Sequence, residues 1–145
     1  MIKRTANAQW NGGLVDGSGH MRFGSGAFDG QYSFSSRFEN GTGTNPEELI
    51  GAAHAGCFSM AFAAGLGKAG FAPKSVKTTA TVHMDKVDGG FKIVEVVLDT
   101  EADVPGIDDK TFQEHAEGAK KGCPVSQALG AVPKITLHAK LLQTA

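Results

Sequence analysis

Excess positive charge, a secretory signal and long uninterrupted apolar runs are all missing from this sequence. Its 14 basic and 15 acidic residues give a net charge of −1, which does not favour nucleic acid or an anionic membrane. Residues 1–4 lack the apolar core of a signal, and the longest apolar run, 49–66, contains His54, Ser59 and several small residues. We therefore expect a cytoplasmic protein without nucleic-acid or membrane partners, in which this run forms a buried helix.

Cysteine is scarce as well, since the 145 residues include only Cys57 and Cys123. Neither has a second cysteine within four residues, so the paired ligands of a zinc site are lacking and no metal is expected. The missing signal argues against a stable structural disulfide, because the cytosol is reducing. The residues alone leave three interpretations open: two core thiols, a redox pair, or a nucleophile formed by Cys57 with His54, three residues before it.

The spacing of apolar residues predicts an α+β fold in one domain, 1–145, without repeats or linkers. Strands are predicted over 4–10, near 19–24 and 31–38, over 76–85 and 91–103, and over 135–141. Helices are predicted from Pro46 to Lys68 or Ala69, over 109–121, and from Pro124 to Leu129. We expect the strands to form antiparallel sheet, with 76–85 and 91–103 joined as a hairpin.

The first of these helices carries the longest apolar run. A capping residue before Pro46 begins it and Gly70 ends it, which gives about 23 residues and a length of about 35 Å. The helix is apolar almost all the way round and must be buried on most sides. Because one chain of this length has too few strands to enclose it, we expect a homodimer.

The two thiols differ in what their own segments offer a thiolate. Cys57 lies about ten residues into its helix, where the helix dipole contributes little, so it needs a cationic neighbour. Cys123 lies at the start of the helix that Pro124 begins, so local reasoning favours Cys123 as the more acidic thiol. Taken alone, Arg37 is interpreted as a surface residue at a strand end, and Glu47 as an acid that complements the helix dipole.

Several motifs in this chain resemble the osmotically inducible protein C and organic hydroperoxide resistance family. They are Arg37-Phe38-Glu39, the run from Gly43 to Ala61, Met84-Asp85-Lys86-Val87, Val104-Pro105-Gly106-Ile107 and Gly122-Cys123-Pro124-Val125-Ser126. The similarity covers nearly the whole chain, and the two cysteine motifs are specific. His54 and the segment 104–107 resemble the osmotically inducible branch more than the other branch.

The resemblance implies a cysteine-based peroxidase that reduces organic hydroperoxides to alcohols, and hydrogen peroxide less well, in oxidative and osmotic stress defence. Cys57 matches the peroxidatic thiol, which becomes a sulfenic acid, and Cys123 matches the resolving thiol that closes a Cys57–Cys123 disulfide. Arg37 matches the arginine that supports the thiolate, and Glu47 the carboxylate that orients that arginine. The family assignment of Cys57 overrides the dipole argument for Cys123, and it requires no cofactor.

The resemblance also implies an intertwined homodimer, with two long central helices packed between sheets, and a dithiol reductant of the dihydrolipoyl type. Glu47 and Cys57 are ten residues apart on one predicted helix, a distance of about 15 Å. Glu47 can hardly organise an arginine beside its own Cys57 across that distance. We therefore expect a shared site, in which Glu47 of one subunit serves the partner subunit's Cys57.

Two other functions stay open on the sequence. A thiol hydrolase built on Cys57 and His54 predicts activity on acyl esters and no requirement for Cys123. A non-catalytic stress protein with core cysteines predicts slow thiol labelling and no peroxide consumption. For the peroxidase, the apolar neighbours expected to favour an alkyl peroxide are Phe58, Met60 and Phe62.

Overall fold

The computed structural model describes residues 1–142, which form two compact units, Met1–Leu49 and Ile50 onward. The first unit contains β1 (Ala6–Asn11), β2 (Ser18–Phe23), β3 (Asp29–Tyr32), the short helix α1 (Phe34–Phe38) and the first turn of α2 (Pro46–Lys68). Its strands form an antiparallel sheet in the order β1-β2-β3. The single domain expected over 1–145 stays a prediction.

Residues 34–38 form α1 instead of the end of the strand predicted over 31–38. The Ser33 hydroxyl accepts a hydrogen bond from the N–H of Ser36, and the Ser36 hydroxyl accepts one from the N–H of Ser33. This reciprocal capping satisfies backbone donors at a helix start, and it begins a helix where alternation suggested a strand. Arg37 therefore lies in the last turn of a helix, and its predicted place at a strand end is wrong.

The second unit consists of the rest of α2, β4 (Ser75–Val87), β5 (Gly90–Asp103), α3 (Asp109–Gly122), α4 (Pro124–Ala128) and β6 (Lys134–Leu142). β4 and β5 form the predicted hairpin, and the sheet has the order β4-β5-β6. β6 pairs with β5 in parallel, so the antiparallel prediction fails for this strand. A parallel pair needs a long crossover, which α3 and α4 supply. The α+β class is confirmed.

The core of the second unit is formed by α2, β5 and α3. Phe58 and Phe62 of α2 are fully buried, and the Phe62 ring centre lies 5.7 Å from that of Phe58 and 5.2 Å from that of Phe112 on α3. Val96 and Leu98 of β5 belong to the same cluster. This packing fixes the rotation of α2 about its axis, and with it the direction of every other side chain on the helix.

Only one face of α2 is buried within the chain. The buried residues are Gly51, His54, Phe58, Phe62 and Leu66. On the opposite face Met60 is 77% exposed, and Ala53, Gly56 and Ala64 are exposed as well. Within residues 1–142, α2 is the one helix long and apolar enough to cross a membrane, a test that core helices of soluble proteins also pass. Burial on most sides therefore needs a further covering, and the homodimer that would supply it stays a prediction.

Candidate active site

The structure brings the two cysteines together. Their Sγ atoms lie 2.7 Å apart, the thiol of Cys123 is hydrogen-bonded to that of Cys57, and both thiols are free. Cys57 projects from the middle of α2, whereas Cys123 is the single residue between α3 and α4. The bond in a disulfide is about 2.05 Å long, so a small approach of the two sulfurs would join them. Of the interpretations open on the sequence, this geometry favours the redox pair.

The neighbours of Cys123 in the chain explain its position. Gly122 ends α3, and Pro124 occupies the first turn of α4. A backbone N–H at that position would have no partner within the helix, so the N–H that proline lacks costs no hydrogen bond. Cys123 itself leaves helical geometry, with φ −59° and ψ 122°, while its N–H still donates to the carbonyl of Ala119 at 2.9 Å. The helical backbone is therefore interrupted at Cys123, and the side chain of Cys123 is fully buried against α2.

The two thiols differ in exposure and in acidity. Cys57 is half-buried, and burial raises its pKa, as does the hydrogen bond with Cys123, while a hydrogen bond from the N–H of Val125 partly offsets both. Cys123 is fully buried, and burial raises its pKa, but hydrogen bonding with Cys57 and with the backbone and side chain of Ser126 outweighs this and leaves the pKa below its usual value. These directions agree with the local argument that Cys123 is the more acidic thiol.

His54 lies on the buried face of α2 and is directed at Ser126 on α4. Its Nε2 and the Ser126 Oγ are 2.7 Å apart, and its Nδ1 is buried with no hydrogen-bond partner among residues 1–142. Burial lowers the pKa of His54, so the ring is neutral near pH 7. Because neither ring nitrogen is hydrogen-bonded to Cys57, the described chain does not contain the Cys57–His54 dyad that a hydrolase would need.

Arg37 and Glu47 form the second pair of predicted site residues, within the first unit. Arg37 Nη2 donates to Glu47 Oε1 at 2.7 Å, and Arg37 Nε lies 3.2 Å from each carboxylate oxygen. The guanidinium also lies 5.3 Å from the centre of the Phe38 ring, within cation–π range. This pairing holds the planar group in one orientation while 36% of the Arg37 side chain stays exposed, so it supports the predicted orienting role of Glu47.

An apolar pocket of about 230 Å³ lies beside Arg37 in the first unit. Its lining residues are Trp10, Leu14, Tyr32, Ser33, Phe34, Arg37 and Phe38. Phe58 and Phe62, which were expected to favour an alkyl peroxide, are fully buried in the core, so that expectation is wrong for both. They lie four residues apart and therefore share the face of α2 that packs inward, whereas Met60 lies on the exposed face.

The described chain has no cluster of metal ligands. Within residues 1–142, no three His, Cys, Asp or Glu side chains come together in a way that could hold a metal ion. Two of the histidines instead have side-chain partners of their own, His20 with Asp29 and His54 with Ser126.

Comparison with known proteins assigns these motifs to a family. The model of the OsmC-like protein family matches residues 39–138, well over half of the chain. The chain belongs to this family. It is 52% identical over 141 residues to peroxiredoxin OsmC of Escherichia coli (strain K12), and the alignment covers 97% of each protein. The family predicted from the cysteine motifs is confirmed.

The second branch of the family is also similar to this chain. The organic hydroperoxide resistance protein of Xanthomonas axonopodis pv. citri (strain 306) is 34% identical over 99 residues, which is 67% of each protein. The crystal structure of the organic hydroperoxide resistance protein OhrB of Bacillus subtilis has a TM-score of 0.68 and 25% identity, and the match covers 95% of this chain and 98% of that one. The predicted family fold is confirmed over nearly the whole chain.

Ser126 is the residue at this site that sequence reasoning missed. Its hydroxyl is bonded to His54, and its N–H and hydroxyl both lower the pKa of Cys123. A signal was present, because Ser126 follows Cys123 by three residues, the spacing at which a side chain in the first helical turn comes back to the capping residue. The contact with His54 has no such signal, since the two residues are 72 positions apart.

Proposed function

We propose that this protein is a thiol-dependent peroxidase that reduces organic hydroperoxides to alcohols through Cys57 and Cys123. The observation that carries the proposal is the 2.7 Å separation of the two sulfurs. Membership of the OsmC-like family supports it, because relatives bear the names peroxiredoxin and organic hydroperoxide resistance protein. These relatives confirm the class of enzyme predicted from the sequence, a cysteine-based peroxidase.

Access to the sulfurs supports the assignment of roles. A peroxide approaches from solvent, so the attacking sulfur must be accessible to solvent. Cys57 is half-buried and is therefore the accessible thiol of the pair. Cys123 has no exposed surface, so it meets an oxidised Cys57 more easily than it meets a peroxide. We therefore assign Cys57 as the peroxidatic thiol and Cys123 as the resolving thiol, although Cys123 is the one with the lowered pKa.

In the first step the Cys57 thiolate attacks the outer oxygen of the hydroperoxide. An S–O bond forms as the O–O bond breaks, which leaves Cys57 as a sulfenic acid and releases an alkoxide that takes up a proton to become the alcohol. In the second step the Cys123 thiolate attacks the Cys57 sulfur, an S–S bond forms, and the departing hydroxide is protonated to water. Two thiols and one hydroperoxide thus give a disulfide, an alcohol and water.

The Cys57 thiolate needs an electrostatic stabilisation that α2 does not supply. Burial and the contact with Cys123 raise its pKa, so a cation is required to keep the thiolate populated near pH 7. Arg37, held by Glu47, is the cation that the family motif assigns to this task, and its exposed edge suits both a thiolate and a peroxide oxygen. The apolar pocket beside Arg37 offers surface for the organic part of the substrate.

A homodimer with shared sites is part of the proposal. Glu47 and Cys57 lie about 15 Å apart along α2, so Arg37 and Glu47 of one subunit are assigned to the partner subunit's Cys57. The exposed apolar face of α2, with Met60 at its centre, is the surface that a second copy would cover. A cellular dithiol then reduces the disulfide and completes the cycle, and we propose a cytoplasmic location, because the cytosol keeps such dithiols reduced.

Peroxide consumption tests this function. The purified protein with a dithiol reductant should consume cumene hydroperoxide, and hydrogen peroxide more slowly, while Cys57→Ser should consume neither. Hydrolysis of acyl esters without peroxide consumption would instead favour the hydrolase, which the direction of His54 already disfavours. Two unreactive thiols and no turnover would support the non-catalytic alternative.

A further inference from the structure

The apolar pocket beside Arg37 is lined by two pairs of aromatic rings, and the chemistry described above assigns it no particular organic group. The ring centres of Trp10 and Tyr32 lie 5.3 Å apart, and those of Phe34 and Phe38 lie 5.0 Å apart. All four side chains are half-buried, so each keeps surface that a ligand can contact. Such a pocket differs from a merely apolar one, because aromatic rings add directional contacts to the burial of area.

A glycine holds the first pair of rings in place. Gly19 on β2 pairs with Trp10 on β1 and with Tyr32 on β3, so the two rings project from the strands on either side of a residue without a side chain. A Cβ atom at Gly19 would clash with both rings, because both lean over the glycine. The Trp10 Nε1 also donates to the carbonyl of Gly13 at 3.2 Å. These contacts fix the rings before a ligand binds.

The helix α1 places the second pair of rings next to the guanidinium. Phe34 and Phe38 lie four residues apart and so share one face of α1. The Phe38 ring centre lies 5.3 Å from the guanidinium carbon of Arg37, which also lines the pocket. Glu47 balances the charge of Arg37, so the pair does not favour an anionic ligand. The pocket therefore suits a neutral aromatic group with a polar end that accepts hydrogen bonds.

We propose that this pocket binds the aryl group of an aryl alkyl hydroperoxide and selects that group over a saturated group of the same size. The inference rests on the proposed peroxidase function and names its substrate class. Pockets that enclose drug-sized ligands measure about 300–1,000 Å³, so a pocket of about 230 Å³ suits a single ring better than a long acyl chain. A rigid ring also loses less conformational freedom on binding than a flexible chain does.

Arg37 gives the bound substrate a direction. The aryl group lies against the rings, and the hydroperoxide lies at the guanidinium, which donates hydrogen bonds and belongs to a side chain that is 36% exposed. Trp10 and Phe34 contact the aryl group and are the residues that determine specificity. Because every lining residue belongs to the first unit, binding in the pocket can be measured independently of the reaction at Cys57.

Tryptophan fluorescence gives a direct measurement, because Trp10 is the one tryptophan of the sequence and lines the pocket. The reduced protein is titrated with cumyl alcohol, the product from cumene hydroperoxide, and with the analogue in which the ring is saturated. Neither alcohol oxidises a thiol, so the change in emission measures binding alone. The saturated ring is the more apolar of the two, so a pocket that offered only apolar surface would prefer it. The two corresponding hydroperoxides are then compared as substrates.

Three variants separate the aromatic rings of the pocket from the rest of the first unit. Phe34→Leu removes one ring of the pocket and keeps an apolar side chain. Leu14→Ala shortens a lining side chain that is not aromatic and is 64% exposed. The matched control is Phe23→Leu, which removes one ring of the Phe23–Phe28 pair, whose centres lie 4.9 Å apart in the same unit and outside the pocket.

The expected result is a preference of the parent protein for the aryl compounds. It should bind cumyl alcohol about two- to tenfold more tightly than the saturated analogue, and kcat/KM should favour cumene hydroperoxide by a similar ratio. Phe34→Leu should lower both ratios about twofold or more, through KM and not through kcat. Leu14→Ala should weaken the binding of both alcohols alike and keep the ratio. Phe23→Leu should match the parent protein.

Three results would overturn the inference. They are equal or tighter binding of the saturated alcohol by the parent protein, a ratio that Phe34→Leu leaves unchanged, and an equal loss of the ratio in Phe23→Leu. Emission that changes on dilution of the protein, and with neither alcohol, would assign the pocket to a second copy of the chain instead. If the protein consumes both hydroperoxides without preference, the peroxidase function stands and this inference fails. If it consumes neither, the peroxidase function itself fails, and the substrate role of the pocket fails with it.

Discussion

The two cysteines sit 2.7 Å apart in surroundings of opposite character. Cys123 is fully buried at the break between two helices, where burial raises its pKa but hydrogen bonding with Cys57 and Ser126 lowers the pKa by more. Cys57 is half-buried in the middle of a long helix, where burial and Cys123 disfavour its thiolate. The more acidic thiol is therefore the one that a peroxide cannot reach. The difference teaches that acidity alone does not assign the peroxidatic role, because access and an external cation also decide it.

Replacing each thiol in turn should have the largest effect on activity and tests directly which thiol reacts with the peroxide. Cys57→Ser should abolish peroxide consumption, because the accessible nucleophile is gone. Cys123→Ser should still consume about one equivalent of cumene hydroperoxide per site and then stall as the sulfenic acid, since a resolving thiol acts only after the first step. Peroxide stoichiometry without added reductant measures both. If Cys123→Ser lost the single turnover and Cys57→Ser kept it, acidity would outweigh access and the roles would be reversed.

A mixed dimer tests where Cys57 obtains its cation. Glu47→Ala and Cys57→Ser homodimers should both be impaired, and a heterodimer formed by refolding the mixture should regain one working site, in which one chain supplies Glu47 to the partner subunit's Cys57. Peroxidase activity after mixing measures the regain. The matched control uses the exposed neighbour Glu48→Ala, whose homodimer should be active before mixing. No regain, or a monomer at working concentration, would contradict the shared site.

Removing the Arg37 guanidinium leaves Cys57 without its assigned cation and so tests whether that cation stabilises the Cys57 thiolate. Arg37→Ala should slow sulfenic acid formation about tenfold or more below the pKa of Cys57, which rises when the cation is lost. Arg37→Lys should recover part of the rate, because lysine keeps the charge but not the planar fork. Rates of peroxide consumption and thiol alkylation across pH measure the effect. The control is Arg22→Ala, which removes an exposed arginine on β2. If a folded Arg37→Ala protein formed sulfenic acid as fast as this control, Arg37 would be only a surface residue.

The smallest expected effect is on stability, through His54. Burial lowers the pKa of His54 in the folded state, so below the usual value of about 6.5 the unfolded chain binds a proton that the folded chain does not. The free energy of unfolding contributed by neutral His54 is complete above that pH and is lost as the pH falls toward the lowered pKa. Urea unfolding of the reduced parent protein and His54→Gln should therefore give a difference that shrinks from pH 7.5 to pH 5.5. A difference that stays constant would contradict the buried neutral imidazole.

Local patterns predicted the elements of this fold better than their pairing. The long helix and the hairpin of β4 and β5 follow from caps, glycines and alternation that lie within each segment, and the predicted bounds agree closely. The parallel pairing of β6 could not be predicted in this way, because strand direction depends on how α3 and α4 carry the chain across the sheet. The capping by Ser33 and Ser36 was a local signal that alternation over 31–38 concealed.

The site residues that lie in family motifs could be predicted from the sequence. The contacts between residues far apart in the sequence could not. The family motifs supplied Cys57, Cys123, Arg37 and Glu47, and the structure brings these residues together as two pairs. Nothing in the residues gives the separation of two sulfurs that lie 66 positions apart. The contact of His54 with Ser126 was equally hidden, because it depends on the rotation of α2 that the core phenylalanines fix.

The central claim is that one organic hydroperoxide oxidises both thiols of a single chain. The most direct measurement is peptide mapping, without reduction, of the reduced protein after one equivalent of cumene hydroperoxide per chain. The account predicts a Cys57–Cys123 disulfide within the chain and no free thiol, because the two sulfurs already lie 2.7 Å apart. A bridge found only between chains, or peroxide consumed with both thiols still free, would contradict it.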